Sequence, residues 1–340
     1  MEKHMRRHPY TVATVALIVG IGGGFCAAQI LVPKASADVS MVREGGYQFI
    51  NPLLSCGVSE DTPYQGFSDL QKSLETQSDK LIAQGQAKRI SVYFRDMDRG
   101  FWTGVRSNDQ FAPASLMKVP LLMAYLKDSQ KIPTLLQTSF ILSVPEDQNV
   151  KEYFKPSSPL SIGTAYTVKE LLSAMIEQSD NNATYVLAEK VNDAALQTVY
   201  EDSGIPPVID ESADSLSPHD YMQSFRLMYN ATFLGKTRSQ TAFEFLSKTE
   251  FSDGIVAGVL AGTPVAHKFG ERTILTPNQT AATLDLKGKE LHDCGIVYYP
   301  EHPYGICIMT EGSDFTQLQK VIAALSQTAY TSVADGLLDR

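Results

Sequence analysis

Three short runs follow one another along the chain: Ser115-Leu116-Met117-Lys118, Ser179-Asp180-Asn181 and Lys268-Phe269-Gly270. Between them they supply two hydroxyls, two amines and a carboxamide. A serine hydroxyl attacks a carbonyl only when a base takes its proton, and a lysine in a dry site can be that base because burial disfavours its charged form. The set is the equipment of serine acyl transfer with lysine in place of histidine.

Each run also has an ordinary reading. Ser115 could cap a helix beside a solvated Lys118, Ser179 to Asn181 could be a polar turn, and Lys268 could be a surface lysine ahead of a glycine kink. Spacing and setting argue otherwise. Ser115 and Lys118 are three apart at a predicted helix start, so they share a face and sit near unpaired backbone N–H groups. Ala112-Pro113-Ala114 before and Val119-Pro120-Leu121-Leu122-Met123 after bury the lysine. Ser179 could relay a proton, the Asn181 amide could hold a substrate carbonyl, and Asp180 is expected to bond local backbone. Lys268 offers charge to a carboxylate, and Gly270 lets a substrate backbone approach the strand. All three in order, each on its expected element, weigh against coincidence.

The positioning elements are legible from periodicity. A helix is expected from Ser68, read as its cap, with Leu70, Leu74 and Leu81 apolar. Strands are expected over Ile90–Phe94 and Phe101–Val105 around an Asp96–Gly100 turn. A helical middle follows: one helix from near Ser115, one over about Val168–Glu177, and one from about His219 to Leu234 behind Ser217-Pro218. The tail reads as strands Val265–Gly270, Asp293–Tyr299 and Gly305–Thr310, then a helix from Ser313 with Phe315, Leu318, Ile322 and Leu325 on one face. The expected fold is α+β: an antiparallel sheet built from both chain ends, flanked by helices, with a helical lobe inserted and a groove between lobes.

Composition bounds the rest. The 340 residues, 43% hydrophobic, suffice for one large core or two modest ones. Residues 1–37 carry Lys3, Arg6 and Arg7, an uncharged stretch over 11–32, and Ala35-Ser36-Ala37, the pattern of an export signal; the apolar stretch is also long enough to serve as a membrane anchor. Either form leaves the remainder outside the cytoplasm. Residues 38–66 read as a stalk or docking segment and 67–340 as the catalytic domain. Without residues 1–37, which hold four basic residues and one acidic, 25 basic residues face 37 acidic, a net of −12. That charge argues against a nucleic-acid partner and against docking on anionic lipid. Cys26 and Cys56 lie in the leader and stalk. Cys294 and Cys307 face each other across a predicted hairpin, as a disulfide or as two small buried residues. No cysteine–histidine cluster has metal-ligand spacing, and no cofactor is implied.

The three runs, together with Thr167-Val168-Lys169-Glu170-Leu171-Leu172 leading into Ser179-Asp180-Asn181-Asn182-Ala183-Thr184, resemble the class A β-lactamase and penicillin-binding protein superfamily over about residues 68–340. The resemblance implies Ser115 as nucleophile, Lys118 as its base or proton shuttle, Ser179 as proton relay, Asn181 as substrate holder and Lys268 facing the substrate carboxylate. It implies an oxyanion hole from the backbone N–H groups of Ser115 and Glu271, beside Gly270. Two features depart from the pattern. The strand motif normally has Thr or Ser where Phe269 stands, so Arg272 is the substitute cation for a substrate carboxylate. No Glu-x-x-Leu-Asn segment follows Ser179, which leaves Glu201, Asp210, Glu211 and Asp214 as the acids that could activate water. The expected function is an exported serine hydrolase acting on β-lactams or cell-wall D-amino-acid peptides with slow deacylation. A catalytically silent extracellular binding domain of the same fold is the alternative.

Overall fold

The computed structural model describes residues 42–55, 63–207, 215–276 and 285–339. The expected signal or anchor, Cys26, Cys56, Asp210, Glu211 and Asp214 lie outside the described residues.

Strands β1 (Val42–Arg43) and β2 (Leu53–Ser55) pair antiparallel within the segment expected as stalk or docking element. Its residues 42–55 lie on the body of the domain. Phe49 and Ile50 are buried, Asn51 N and Leu53 N donate to Tyr229 O and Asn230 O, and the Arg43 guanidinium donates to Asp98 O, Asn51 O and Asn230 Oδ1. Helix α1 (Ser68–Ala83) buries Leu70, Leu74 and Leu81. Its cap position is Phe67, the last residue of a 3₁₀ turn, so Ser68 sits in the first helical turn and not at the cap as expected.

Strands β3 (Arg89–Asp96) and β4 (Trp102–Val105) follow. The turn between them forms because Asp96 Oδ1 accepts the N–H groups of Asp98 and Arg99, with Gly100 at φ 79° closing it. The helical block comprises α2 (Lys118–Lys131), the small hairpin β5 (Ser139–Ile141) and β6 (Ala165–Thr167), α3 (Val168–Glu177), α4 (Asn181–Lys190), α5 (Asp193–Ser203), α6 (Pro218–Tyr229) and α7 (Gly235–Leu246). Helix α6 stops five residues short of the expected Leu234 because Asn230 ends it and Ala231, at φ 53°, turns the chain back onto Met228 O.

The tail supplies β7 (Val265–Thr276), β8 (Asp285–Val297), β9 (Tyr304–Gly312) and α8 (Phe315–Ala334). The first two run longer than their apolar alternation suggests. All pairings in the five-stranded sheet are antiparallel, in the order β4-β3-β9-β8-β7. Both chain ends thus build one sheet, and β7 is one of its two edges. Strand alternation divides the core. Val92, Phe94, Ile306 and Ile308 pack with α1 and α8, while Tyr93, Cys307 and Met309 face the helical block. Cys294 stands opposite Cys307 on β8 and β9, and the two form a disulfide. Among the described residues, no helix is long and apolar enough to cross a membrane.

Candidate active site

Local chain chemistry brings the first two motifs together. Residues Ala114–Met117 form a 3₁₀ turn that runs straight into α2, and in 3₁₀ geometry residues three apart eclipse, so Ser115 lies over Lys118. Ala114, just before the serine, is held at φ 47°, a conformation that non-glycine residues adopt only when their surroundings impose it. Helix α3 starts at a reciprocal capping box between Thr167 and Glu170. It ends at Glu177 with Gln178 as its C-cap, Ser179 turns at φ 59°, and Asp180 caps α4 by accepting Ala183 N at 2.9 Å. That bend presents the Ser179 hydroxyl and the Asn181 amide to Lys118.

Lys118 is 3% exposed. Its Nζ donates to Ser179 O (2.6 Å), Ser179 Oγ (3.0 Å) and Asn181 Oδ1 (2.6 Å), which uses all three ammonium hydrogens. Lys268, fully buried on β7, donates to the same Ser179 Oγ at 2.9 Å and to Phe269 O at 3.0 Å. Both lone pairs of the Ser179 hydroxyl are thereby taken, so its own proton must point elsewhere. Burial lowers the Lys118 pKa to about 7, with the charges of Glu152, Asp180 and Glu271 working against the fall. Lys268 is also lowered, by burial first and then by the neighbouring Lys118.

Ser115, Lys118, Asn181, Glu271 and Arg272 line one cavity of about 760 Å³, with Glu152, Thr184 and Tyr200 on its walls. Ser179, Lys268 and Gly270 stand behind that lining. Gly270 has a more local role than expected. A Cβ there would meet Leu116 N at 3.2 Å and Pro113 O at 3.3 Å, so glycine lets β7 approach the Ser115 turn itself.

Phe269 faces away from the cavity. It stacks on Phe251 (4.5 Å between centroids), meets Phe154 edge-on and belongs to the apolar cluster under α8, while its ring lies 4.1 Å from Lys268 Nζ. Its place in the motif is accounted for by packing, not by substrate contact. Arg272, half-buried at the cavity wall, has Nη1 3.6 Å from Glu290 Oε2. Of the acids expected to activate water, Glu201 is exposed, accepts from Gln197 Nε2 one turn earlier on α5, and does not line the cavity.

Two carboxyl groups were not expected. Glu271, anticipated only for its backbone N–H, accepts Phe154 N (2.7 Å) and Tyr153 N (3.2 Å) through its side chain. Burial pushes that carboxyl up to about 7; the two N–H groups oppose the rise, and the charge and hydrogen bond of Glu152 add to it. Glu152 Oε1 accepts Asn181 Nδ2 at 2.8 Å. The loop carrying it is tied to the head of α4: Asn149 Oδ1 accepts Asn181 N, Asp147 Oδ1 accepts Asn182 Nδ2, and Asn182 Oδ1 accepts Gln148 N, each at 2.8 Å. Lys151-Glu152-Tyr153-Phe154 has no periodicity or motif that marks it, and its importance arises only from that tertiary tie.

Comparisons with known proteins bear on the family and the fold. The family model of the beta-lactamase enzyme family matches residues 73–333. No curated protein matches the chain. The solved structure of PBP-A superposes with a TM-score of 0.63 at 20% identity, covering 81% of this chain and 99% of its own. A mutant of PBP-A in acyl-enzyme complex with penicillin G gives 0.62 at 20% identity, with 81% and 99% covered. A beta lactamase from Xanthomonas campestris pv. campestris gives 0.63 at 17% identity, with 78% and 98% covered. At these identities the superpositions establish the fold, and the family match over most of the described domain establishes membership: the chain belongs to the beta-lactamase enzyme family.

Proposed function

We propose that the protein is an exported serine hydrolase, anchored to the membrane by residues 11–32, that forms an acyl-enzyme through Ser115 on β-lactams or cell-wall D-amino-acid peptides. The observation that carries this reading is Lys118, buried and bonded at once to Ser179 and Asn181. With its proton affinity brought down to about 7, the amine is half neutral near physiological pH. Losing one hydrogen frees one of its three partners and gives it a lone pair for the Ser115 proton. That proton then passes to Ser179, which hands it to the leaving nitrogen. The backbone N–H groups of Ser115 and Glu271 stabilise the oxyanion, Arg272 at the cavity wall attracts the substrate carboxylate, and Lys268 holds the Ser179 hydroxyl from behind. The PBP-A mutant solved as an acyl-enzyme with penicillin G supports penicillin as the probe. The lack of a Glu-x-x-Leu-Asn segment after Ser179 favours slow release of the acyl group.

The test is intact mass over time after mixing the protein with a penicillin. A long-lived adduct on Ser115, absent in Ser115→Ala, is the expected result. Labelling that persists in Ser115→Ala refutes the assignment. A chain that takes neither a penicillin nor a D-amino-acid ester is the silent binding domain instead.

A further inference from the structure

Asn181 is the hinge of the site, because its amide has two unlike ends. The oxygen accepts the Lys118 amine and the nitrogen donates to Glu152. An asparagine amide can turn by half a rotation at almost no cost in shape. Turned, it would aim two N–H donors at an ammonium and lose the 2.6 Å bond that holds Lys118. A carboxylate oxygen on the far side can only accept. It therefore selects the orientation in which Nδ2 faces outward and Oδ1 faces the lysine.

We propose that Glu152 is a positioning residue for acyl transfer: its carboxylate holds the Asn181 amide with the oxygen turned to Lys118 and sets a negative charge facing that amine across the amide. The proposal rests on the acyl-transfer reading above for its functional meaning. Its structural support is independent, since the loop from Asp147 to Glu152 is fastened to Asn181 and Asn182 by four hydrogen bonds of 2.8 Å. Only one of the two Asn181 N–H groups is needed by Glu152, which leaves the other for a substrate carbonyl.

Other charges face Lys118 as well. Asp180 lies at the head of α4, and Glu271 and Lys268 lie on β7. Glu152 is the largest of the three carboxylate influences that keep the amine from falling further. Glu271 is itself held up to about 7 and so is only partly charged near neutrality. Removing the Glu152 charge therefore lowers the Lys118 midpoint, a fall that Glu271 offsets in part because it ionises more readily without Glu152 beside it; removing the Glu271 charge lowers the midpoint less.

The experiment is a pH titration of the Lys118 side chain by NMR in the full chain labelled at lysine Cε, the signal being identified by its loss in Lys118→Arg. Glu152→Gln keeps a hydrogen-bonding group of the same size and removes the charge. The expected result is a midpoint lower by roughly one pH unit, the scale of a nearby opposite charge, with Glu152→Asp returning towards the original value. The acidic limb of Ser115 acylation by penicillin should move with it. A Lys118 midpoint unchanged in a folded Glu152→Gln overturns the proposal and leaves Glu152 with a structural role alone. If instead the midpoint moves but Ser115 takes no adduct in the parent protein, the wiring stands and the acyl-transfer reading fails.

Discussion

The burial of Lys118 has a thermodynamic signature that can be read without any substrate. Folding takes this amine from an ordinary 10.5 to about 7. Between those values the unfolded chain holds a proton that the native state has lost, so native stability rises with pH across the window. Below about 7 both states are protonated, and the cost of burying the charge is present in full. Across the whole window the 3.5-unit shift corresponds to about 5 kcal/mol. Over the accessible part, from about pH 7 to about pH 9.5, the gain is about 3 kcal/mol once the half-titration at the lower end is included. Lys118→Met isolates it. Losing the bonds to Ser179 and Asn181 costs stability at every pH, but that cost is constant and leaves the slope untouched. Lys268 acts in the same direction, because removing Lys118 relieves its repulsion and raises its own proton affinity. The difference in unfolding free energy, parent minus variant, should therefore climb by at least about 3 kcal/mol when both are unfolded in urea at a series of pH values in that range. Other lysines and tyrosines titrate equally in both proteins and cancel. A difference that stays flat means the amine is not stripped of its proton by the fold, and the proposed role of Lys118 as base falls with it.

Two further perturbations test the scaffold. Phe269→Ala opens a hole among Phe251, Phe154 and the residues under α8, and should cost about 3–5 kcal/mol in urea unfolding; a loss below about 1 kcal/mol would show that the ring is not the packing element described. The Cys294–Cys307 disulfide spans a sequence separation of 13, so replacing both cysteines by alanine should lower stability by about 3 kcal/mol without changing the sheet register; equal urea midpoints would refute a stabilising cross-link.

What the sequence disclosed and what it withheld divide along the range of the forces involved. The Val168–Glu177 helix, the Asp96–Gly100 turn and the Cys294–Cys307 pairing depend on residues close in the chain, and periodicity, capping and turn chemistry record them. The end of α6 at Tyr229 depends on one left-handed residue, Ala231, whose side chain gives no warning of it. The motif lysines were visible, but their state was not. That Lys118 and Lys268 converge on one hydroxyl is set by β7 reaching the Ser115 turn, which the absence of a Cβ at Gly270 allows.

Glu152 marks the limit most clearly. It lies 29 residues before Asn181 in a loop without pattern, and only the folding of that loop onto the head of α4 brings it to the site. The same loop continues through Tyr153 and Phe154, whose N–H groups hold Glu271 and whose rings enter the aromatic cluster around Phe269. One short segment thus touches the amide that orients Lys118, the strand carrying the expected oxyanion donor, and the residue that departs from the strand motif. Phe269 anchors the segment that carries Glu152, so the hydroxyl missing from the strand and the carboxylate added to the site form one structural arrangement. Replacing Phe269 alone by a hydroxyl residue should accordingly loosen Glu152 from Asn181 before it improves any contact with a substrate carboxylate.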